Sequence, residues 1–238
     1  MHRSSAALAA LLALVTAPRA HGAEEPPSDE LARGWERLDR ARLAAIEDDR
    51  RLMWGLLGAS LASTAVGAGL MVTDARDQGL RVAGAVTVGF ALIDIALAAP
   101  ALAGNREARE TWTRARTEGQ AGGAAALRRA EVDFAREQGQ VAWVFALNLG
   151  LDAGYVMAGA AAAASSAFGV EHPDRWLGGG LATVAQGLLL IAIDTVGFTR
   201  ARGYQSAALD ALGGMALVPT VGLSASGQTM TLGLAGRF

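Results

Sequence analysis

Apolar and polar positions alternate in long blocks along this chain. Residues 29–51 are charged, with Leu31, Trp35, Leu38, Leu43 and Ile46 at helical spacing, which predicts an amphipathic helix. Residues 52–73 carry no charge, and after the polar "DARDQG" the stretch 80–104 is apolar except for Arg81 and Asp94. Residues 105–140 are charged again, 141–170 are apolar beyond their opening, "EHPDR" makes a turn, and 176–198 form a fourth apolar run. Each apolar run is close to the ~20 residues that a helix needs to cross ~30 Å of hydrocarbon. The last stretch loses the helical period. Met230, Leu232, Leu234 and Phe238 alternate with Thr229, Thr231, Gly233 and Arg237 behind the turn-forming "SASGQ", which predicts a β-hairpin.

The expected fold is therefore all-α. Four apolar helices form a transmembrane-like bundle of two helical hairpins, with charged amphipathic helices outside it and a C-terminal β-hairpin. The expected boundaries are a signal peptide at 1–22, a charged helix at 23–51, hairpin one at 52–104 and a charged connecting helix at 105–140. Hairpin two follows at 141–198, then a linker at 199–214 and the β-hairpin at 215–238. The signal is read from His2 and Arg3, the apolar run 6–15, and the small residues of Ala20-His21-Gly22 before a mature start near Ala23. The two hairpins resemble each other weakly. Each has a Trp near its start (Trp54, Trp143) and ends in "ALIDIAL" or "LIAIDTV", which sets Asp94 beside Asp194.

Composition sharpens the membrane reading. Hydrophobic residues make up 52% and charged ones 18%, against roughly 25% charged in soluble domains. A net charge of −2 gives no footprint for nucleic acid. All 21 basic residues are arginine, there is no cysteine, and the three histidines are scattered. His172 with Glu171 and Asp174 reads as an exposed turn before it reads as a metal site. Gly178-Gly179-Gly180 lacks the preceding strand and the lysine of a phosphate loop. No catalytic constellation, cofactor or metal is expected. The expected partners are the lipid bilayer and, through the C-terminal hairpin, a second copy of the chain or an envelope protein.

Topology signals conflict. A cleaved signal would leave the mature start, the 105–140 segment and the C-terminus outside the cytoplasm. That side carries sixteen of the arginines after the signal and the two short turns carry three (Arg76, Arg81, Arg175), whereas the positive-inside rule would keep the sixteen in the cytoplasm. The inner membrane is the first expectation and the outer membrane the second. A terminal Phe on an alternating strand is similar to the C-terminal signal of outer-membrane barrels, although the rest of the chain lacks barrel strands.

Polar residues inside the apolar runs are the candidate chemistry. Asn148, Asp152, Tyr155 and Gly159 fall at i, i+4, i+7 and i+11, one predicted helical stripe. Gln186 and Asp194 share a stripe on the fourth run, and Asp94 ends the second. A central carboxylate costs about 2.5–3.5 kcal/mol to insert, and the apolar neighbours of Asp152 return roughly 2–4. The third run therefore needs a partner surface, a proton or a wet cavity. Gly55, Ala59, Ser63 and Gly67 repeat every four residues on the first run, and Gly150 and Gly154 do so on the third. Small residues at that spacing let helix backbones approach. The polar cluster reads either as hydrogen-bonded glue between helices or as an ion or proton pathway.

"LNLGLDAGYVMAG" and "QGLLLIAID" together resemble an uncharacterised family of bacterial four-helix envelope proteins, which carry an N-x-x-L-D-x-x-Y-like helix followed by a Q-G-x-x-L-L-x-x-D-like helix. The first hairpin departs from that pattern, with Ser60 and Ser63 where a strict repeat would place the amide and the acid. The resemblance implies no activity. The expectation is a structural or assembly component of the cell envelope, not an enzyme. The alternative is a small transporter or ion-conducting subunit using Asp94, Asp152 and Asp194.

Overall fold

The computed structural model describes residues 28–73 and 76–213, and the backbone alone of 218–223 and 230–235. The expected signal peptide lies outside the described residues. The fold is all-α, built from four long helices: α1 (Ser28–Thr73), α2 (Gln78–Gln120), α3 (Gly123–Ser165) and α4 (Pro173–Ala211), with a 3-10 turn at Ser166–Phe168. Two further backbone segments, Val218–Leu223 and Met230–Ala235, run antiparallel, Val218 opposite Ala235 and Leu223 opposite Met230. The four helices pack on one another.

The charged segments are not separate flanking helices. With 46 residues, α1 crosses the expected boundary at 51/52 without a break. Likewise α2 runs on past 104, and α4 past 198 to Ala211 where a linker was expected. The expected connecting helix at 105–140 is instead the end of α2 and the start of α3, separated by a turn at Ala121 and Gly122. Gly123 opens α3 at φ 63°, a left-handed conformation that favours glycine. The physical reason is cooperativity. Extending an existing helix adds one hydrogen bond per residue fixed, so a change from apolar to charged side chains does not by itself end a helix, and α2 continues even through Pro100.

The result is one bundle with two halves. At the short-turn end, Asp77 caps α2 by accepting from the Leu80 amide at 3.0 Å, and Pro173 opens α4. The apolar half extends from there and leaves large side chains exposed on every helix, among them Leu61, Ile93, Leu151 and Leu188. Among the described residues, Val132 is the only large hydrophobic residue so exposed in the charged half. Exposed Trp54 and Trp143 stand where the two halves meet, and Phe168 and Trp176 stand at the short-turn end. Two aromatic belts bounding an apolar band are the mark of a bilayer-spanning segment. All four helices are long and apolar enough to cross a membrane. The 24 residues of α1 before Leu52 reach about 36 Å beyond the band at 1.5 Å per residue.

Buried positions recur every seven residues. They are Gly84, Ala91, Ala98, Asn105 and Trp112 on α2, and Gly180, Gly187, Asp194, Ala201 and Ala208 on α4. On α3 the series includes Glu131, Gln138, Asp152 and Gly159, and Ser60 with Gly67 does the same on α1. A seven-residue repeat is shorter than two turns of a straight helix, so the helices wrap left-handedly to keep the seam inward. Gly and Ala on the seam bring backbones together. A Cβ on Gly67 would lie 2.7 Å from the Gly84 carbonyl oxygen, and one on Gly159 would lie 2.8 Å from that of Gly180. The two hairpins, α1–α2 and α3–α4, meet at Gly79 and Gly178 on the parallel helices α2 and α4.

The charged half has its own core of Trp35, Leu38, Trp112, Phe134, Ala135 and Ala208. Polar contacts lock its rim. Asp39 accepts from the Trp112 indole N–H at 2.8 Å and from Arg116 at 2.6 Å. Arg42 pairs with Glu137 at 2.9 Å while its guanidinium lies 4.7 Å from the Trp112 ring centre and 5.1 Å from that of Phe134. The Tyr204 hydroxyl donates to Asp48 at 2.8 Å. Burial, then the Asp48 carboxylate, push the Tyr204 phenol up to about 12. A phenol raised in the folded state contributes stability that is present below its unfolded value near 10 and lost as pH rises through about 12. Tyr204→Phe is expected to cost about 1 kcal/mol and to remove the part of the alkaline stability loss that this phenol causes, as read by thermal unfolding at increasing pH.

Candidate functional site

Three acids from three helices meet in the apolar half. Asp94 on α2, Asp152 on α3 and Asp194 on α4 are buried, at 4%, 4% and 8% exposure. Asp152 and Asp194 sit on the seven-residue seam, and Asp94 lies beside it, seven residues after buried Thr87, so all three are carried away from lipid. The Asp194 carboxyl has Asp152 and Asn148 as its nearest polar neighbours, and Asp94 lies within electrostatic reach of it. From α1, the Ser60 hydroxyl donates to the Leu56 carbonyl at 2.8 Å and lies 3.5 Å from Asp94 Oδ2. The group thus draws on all four helices.

Charge balance decides its chemistry. The basic side chains nearest the short turns are spent elsewhere: Arg175 donates to Gln78 Oε1 at 2.6 Å, and Arg81 is exposed. No ion pair reaches the three acids among the described residues. Two carboxyl groups can hydrogen-bond to each other only when one of them carries a proton. Asp152 and Asp194 are such neighbours, and in a medium of low dielectric two like charges that close would repel strongly. Asp152 Oδ2 remains buried with no hydrogen-bond partner. Among the described residues no three His, Asp or Glu side chains come close enough together to hold a metal ion.

The structure brings together Asp94, Asn148, Asp152 and Asp194, and sets the other candidates apart. Tyr155 does not join them. It is 42% exposed and meets Phe90 edge-on, with ring centres 5.3 Å apart. The seam follows a 3.5-residue period through Asp152 and Gly159, which leaves Tyr155 on its outer edge. Gln186 is buried, but eight residues from Asp194, about 12 Å along α4, and it faces a separate cleft between α1, α2 and α4. The small-residue stripe also corrects. Of Gly55, Ala59, Ser63 and Gly67, only Gly67 is buried on the seam, whereas Gly55, Gly150 and Gly154 have no neighbour within 4 Å of an added Cβ. A four-residue step advances 40° around the helix each time, so such a row winds off any one face.

Sequence reasoning missed Thr87, which is buried beside that cleft, and the Trp112–Arg42–Phe134 stack. The aromatic residues at 112 and 134 were visible inside the charged segment as its largest apolar side chains. For Trp112 the signal was a seven-residue series running back into the apolar run.

Comparison with curated proteins and with solved structures finds no match. Residues 55–195, from the first buried seam to the acid on α4, match a family of unknown function, and by that match the chain belongs to the family DUF6992.

Proposed function

We propose that this protein is a structural or assembly component of the cell envelope. In this reading its membrane half anchors a rigid bundle, and its charged half presents a surface to other envelope components. The observation that carries it is the convergence of the acid group. Asp94, Asp152, Asp194, Asn148 and Ser60 come together from all four helices, and in this reading they fix pairing and register. Toward the short-turn end the backbones touch at Gly67 and Gly84, at Gly159 and Gly180, and at Gly79 and Gly178. Those contacts leave little room for a water-filled path. The alternating stretch 215–238 is the segment assigned to a partner, as a hairpin that gains cover from a second copy or an envelope protein.

A second reading, proton or ion transport, is favoured by one observation, the unpartnered Asp152 Oδ2. The two readings separate in vesicles containing the purified protein and a trapped pH dye. The structural reading expects proton leak no faster than in empty vesicles. A leak above that level which Asp194→Asn abolishes would establish transport instead.

Placement is tested by fractionation and protease treatment of intact and opened cells. Export by a cleaved signal predicts that the tip around Gln120 is cut from the extracytoplasmic side and that the mature protein starts near Ala23. Protection of that tip in cells with a permeabilised outer membrane would place the charged half in the cytoplasm, as the arginine distribution favours. Recovery from the inner or the outer membrane fraction decides the membrane.

A further inference from the structure

We propose that the trough between α1, α2 and α3 in the charged half binds a linear organic cation with two or more ammonium groups, of the polyamine class. The site lies apart from the intramembrane acids and stands whichever reading of them holds. Its volume is about 830 Å³, within the range of sites that take small molecules. Its walls are residues 35–49 of α1, 104–119 of α2 and 126–141 of α3. Each wall is about four turns, or roughly 21 Å, at 1.5 Å per residue, so the space is long and narrow. Exposed Glu107, Thr111 and Asp133 stand along it, so it opens to water.

Charge points to the occupant. Asp49, Glu107, Asp133 and Glu137 line the trough, against Arg42 and Arg129. Arg42 and Glu137 neutralise each other at 2.9 Å. Among the described residues, no ion pair or hydrogen bond reaches Asp49, Glu107 or Asp133. Nor do three acids there converge closely enough to hold a metal ion, so the match is a ligand whose own charges are spaced apart. Asp49 is exposed in area, yet the surrounding walls strip enough water to raise its carboxyl above the ordinary carboxylate range. A cation beside it would reverse that.

Two amides inside the trough carry the case beyond the acids alone. Gln138 is 8% exposed, makes no hydrogen bond, and has neither amide atom sealed from solvent. Asn105 is 9% exposed, and its Oδ1 is likewise unbonded and open while its Nδ2 is sealed. With Asp49 they stand on three helices, each within a turn of where the apolar run ends. An ammonium has three N–H donors, and one carboxylate with two amide oxygens answers them. Asp133 lies five residues from Gln138, about 7.5 Å along α3, a distance that a short methylene chain spans to bring a second ammonium there. Ala45, Ile46, Ala108 and Val141 give such a chain apolar surface to lie on.

The test is calorimetric binding of spermidine to the full-length protein in nanodiscs of zwitterionic lipid, which offers no anionic headgroup to compete. Saturable binding of one spermidine per chain is expected. Butylamine, with a single ammonium, is expected to bind at least about tenfold more weakly. Asp49→Asn and Asp133→Asn, both at exposed positions, are each expected to weaken spermidine at least about tenfold, because the charge behind the hydrogen bond is lost. Glu36→Gln changes an exposed acid outside the trough and is expected to leave binding unchanged. Circular dichroism of each variant separates lost binding from a lost fold, and should Asp49→Asn fail to fold, Asp133→Asn decides. An absence of saturable binding, or butylamine binding as tightly as spermidine, would overturn the proposal. So would a Glu36→Gln effect equal to that of Asp49→Asn, which would reduce the site to a general attraction of cations. Binding of a lysine-rich peptide where spermidine fails would also overturn it, and would make the trough a docking face for a basic partner.

Discussion

Replacing Gly180 by leucine is expected to prevent α3 and α4 from pairing. A Cβ at Gly180 would meet the Ala163 backbone nitrogen and the Gly159 carbonyl oxygen, both within van der Waals contact, and main chain cannot swing aside as a side chain does. Over-packing a core costs about 1–3 kcal/mol where side chains can yield. Here the helices themselves must part, so the loss is expected at the upper end or above it, about 3 kcal/mol or more. Gly84→Leu should act alike on the first hairpin, because its added Cβ meets the Gly67 carbonyl oxygen and Met71. Gly150→Ala and Gly154→Ala are the controls. Nothing lies within 4 Å of either position, and exchanging glycine for alanine in a helix interior favours the helix by roughly 0.5–1 kcal/mol. Unfolding of the purified protein in increasing SDS reads all four. A seam leucine no more harmful than the outward alanines would show that the close crossings do not hold the bundle together.

The two crossings match in local sequence. Gly67 packs against Gly84, Thr87 and Val88, and Gly159 packs against Gly180, Thr183 and Val184. "GAVTV" and "GLATV" thus occupy equivalent places in the two hairpins. From these glycines, Asp94 lies ten residues on and Asp194 fourteen, one helical turn more. The likeness of "ALIDIAL" and "LIAIDTV" had set the two acids side by side, and that alignment is one turn out at the crossings. Helices one and three match with Ser60 opposite Asp152, each seven residues before its seam glycine, which puts Ser60–Asp94 in the place of Asp152–Asp194. We propose duplication with a one-turn insertion as the source of both patterns.

Hydropathy made the four apolar segments legible, because lipid exposure selects large apolar side chains over the whole length of a span. It hid the continuity of the helices. Charge changes abruptly at Arg51 and Asn105, while the backbone changes nowhere near them. Asp94, Asp152 and Asp194 were legible as buried because a carboxylate in an apolar run has nowhere else to go. Tyr155 and the every-fourth glycines were misplaced for a single reason. Alanine-rich helices carry small residues on every face, so a local stripe does not reveal which face is the seam. Only the seven-residue series, followed through five positions from Gly180 to Ala208, picks out the inward side.

Substitution at the acid pair separates a need for charge from a need for a hydrogen bond. In Asp152→Asn the amide can donate to an ionised Asp194 or accept from a protonated one, so a link between α3 and α4 is possible in either state. Near-native SDS resistance and helix content are expected, and Asp194→Asn should behave the same way from the other side. Asp152→Leu differs. It keeps the bulk but leaves Asp194 with Asn148 alone, and an unsatisfied buried polar group costs about 1–3 kcal/mol, more if it is charged. That variant should unfold at clearly lower SDS than either asparagine variant. Joining the two changes as Asp152→Leu with Asp194→Leu removes both members of the bond and should recover part of the loss, since replacing a polar pair by apolar groups of similar shape is nearly neutral. Asparagine variants as damaged as Asp152→Leu would show that the carboxylate itself is required, which hydrogen-bonded glue does not predict and an ion-handling site does. The same four proteins in the vesicle leak assay would then show whether that requirement is one of folding or of transport.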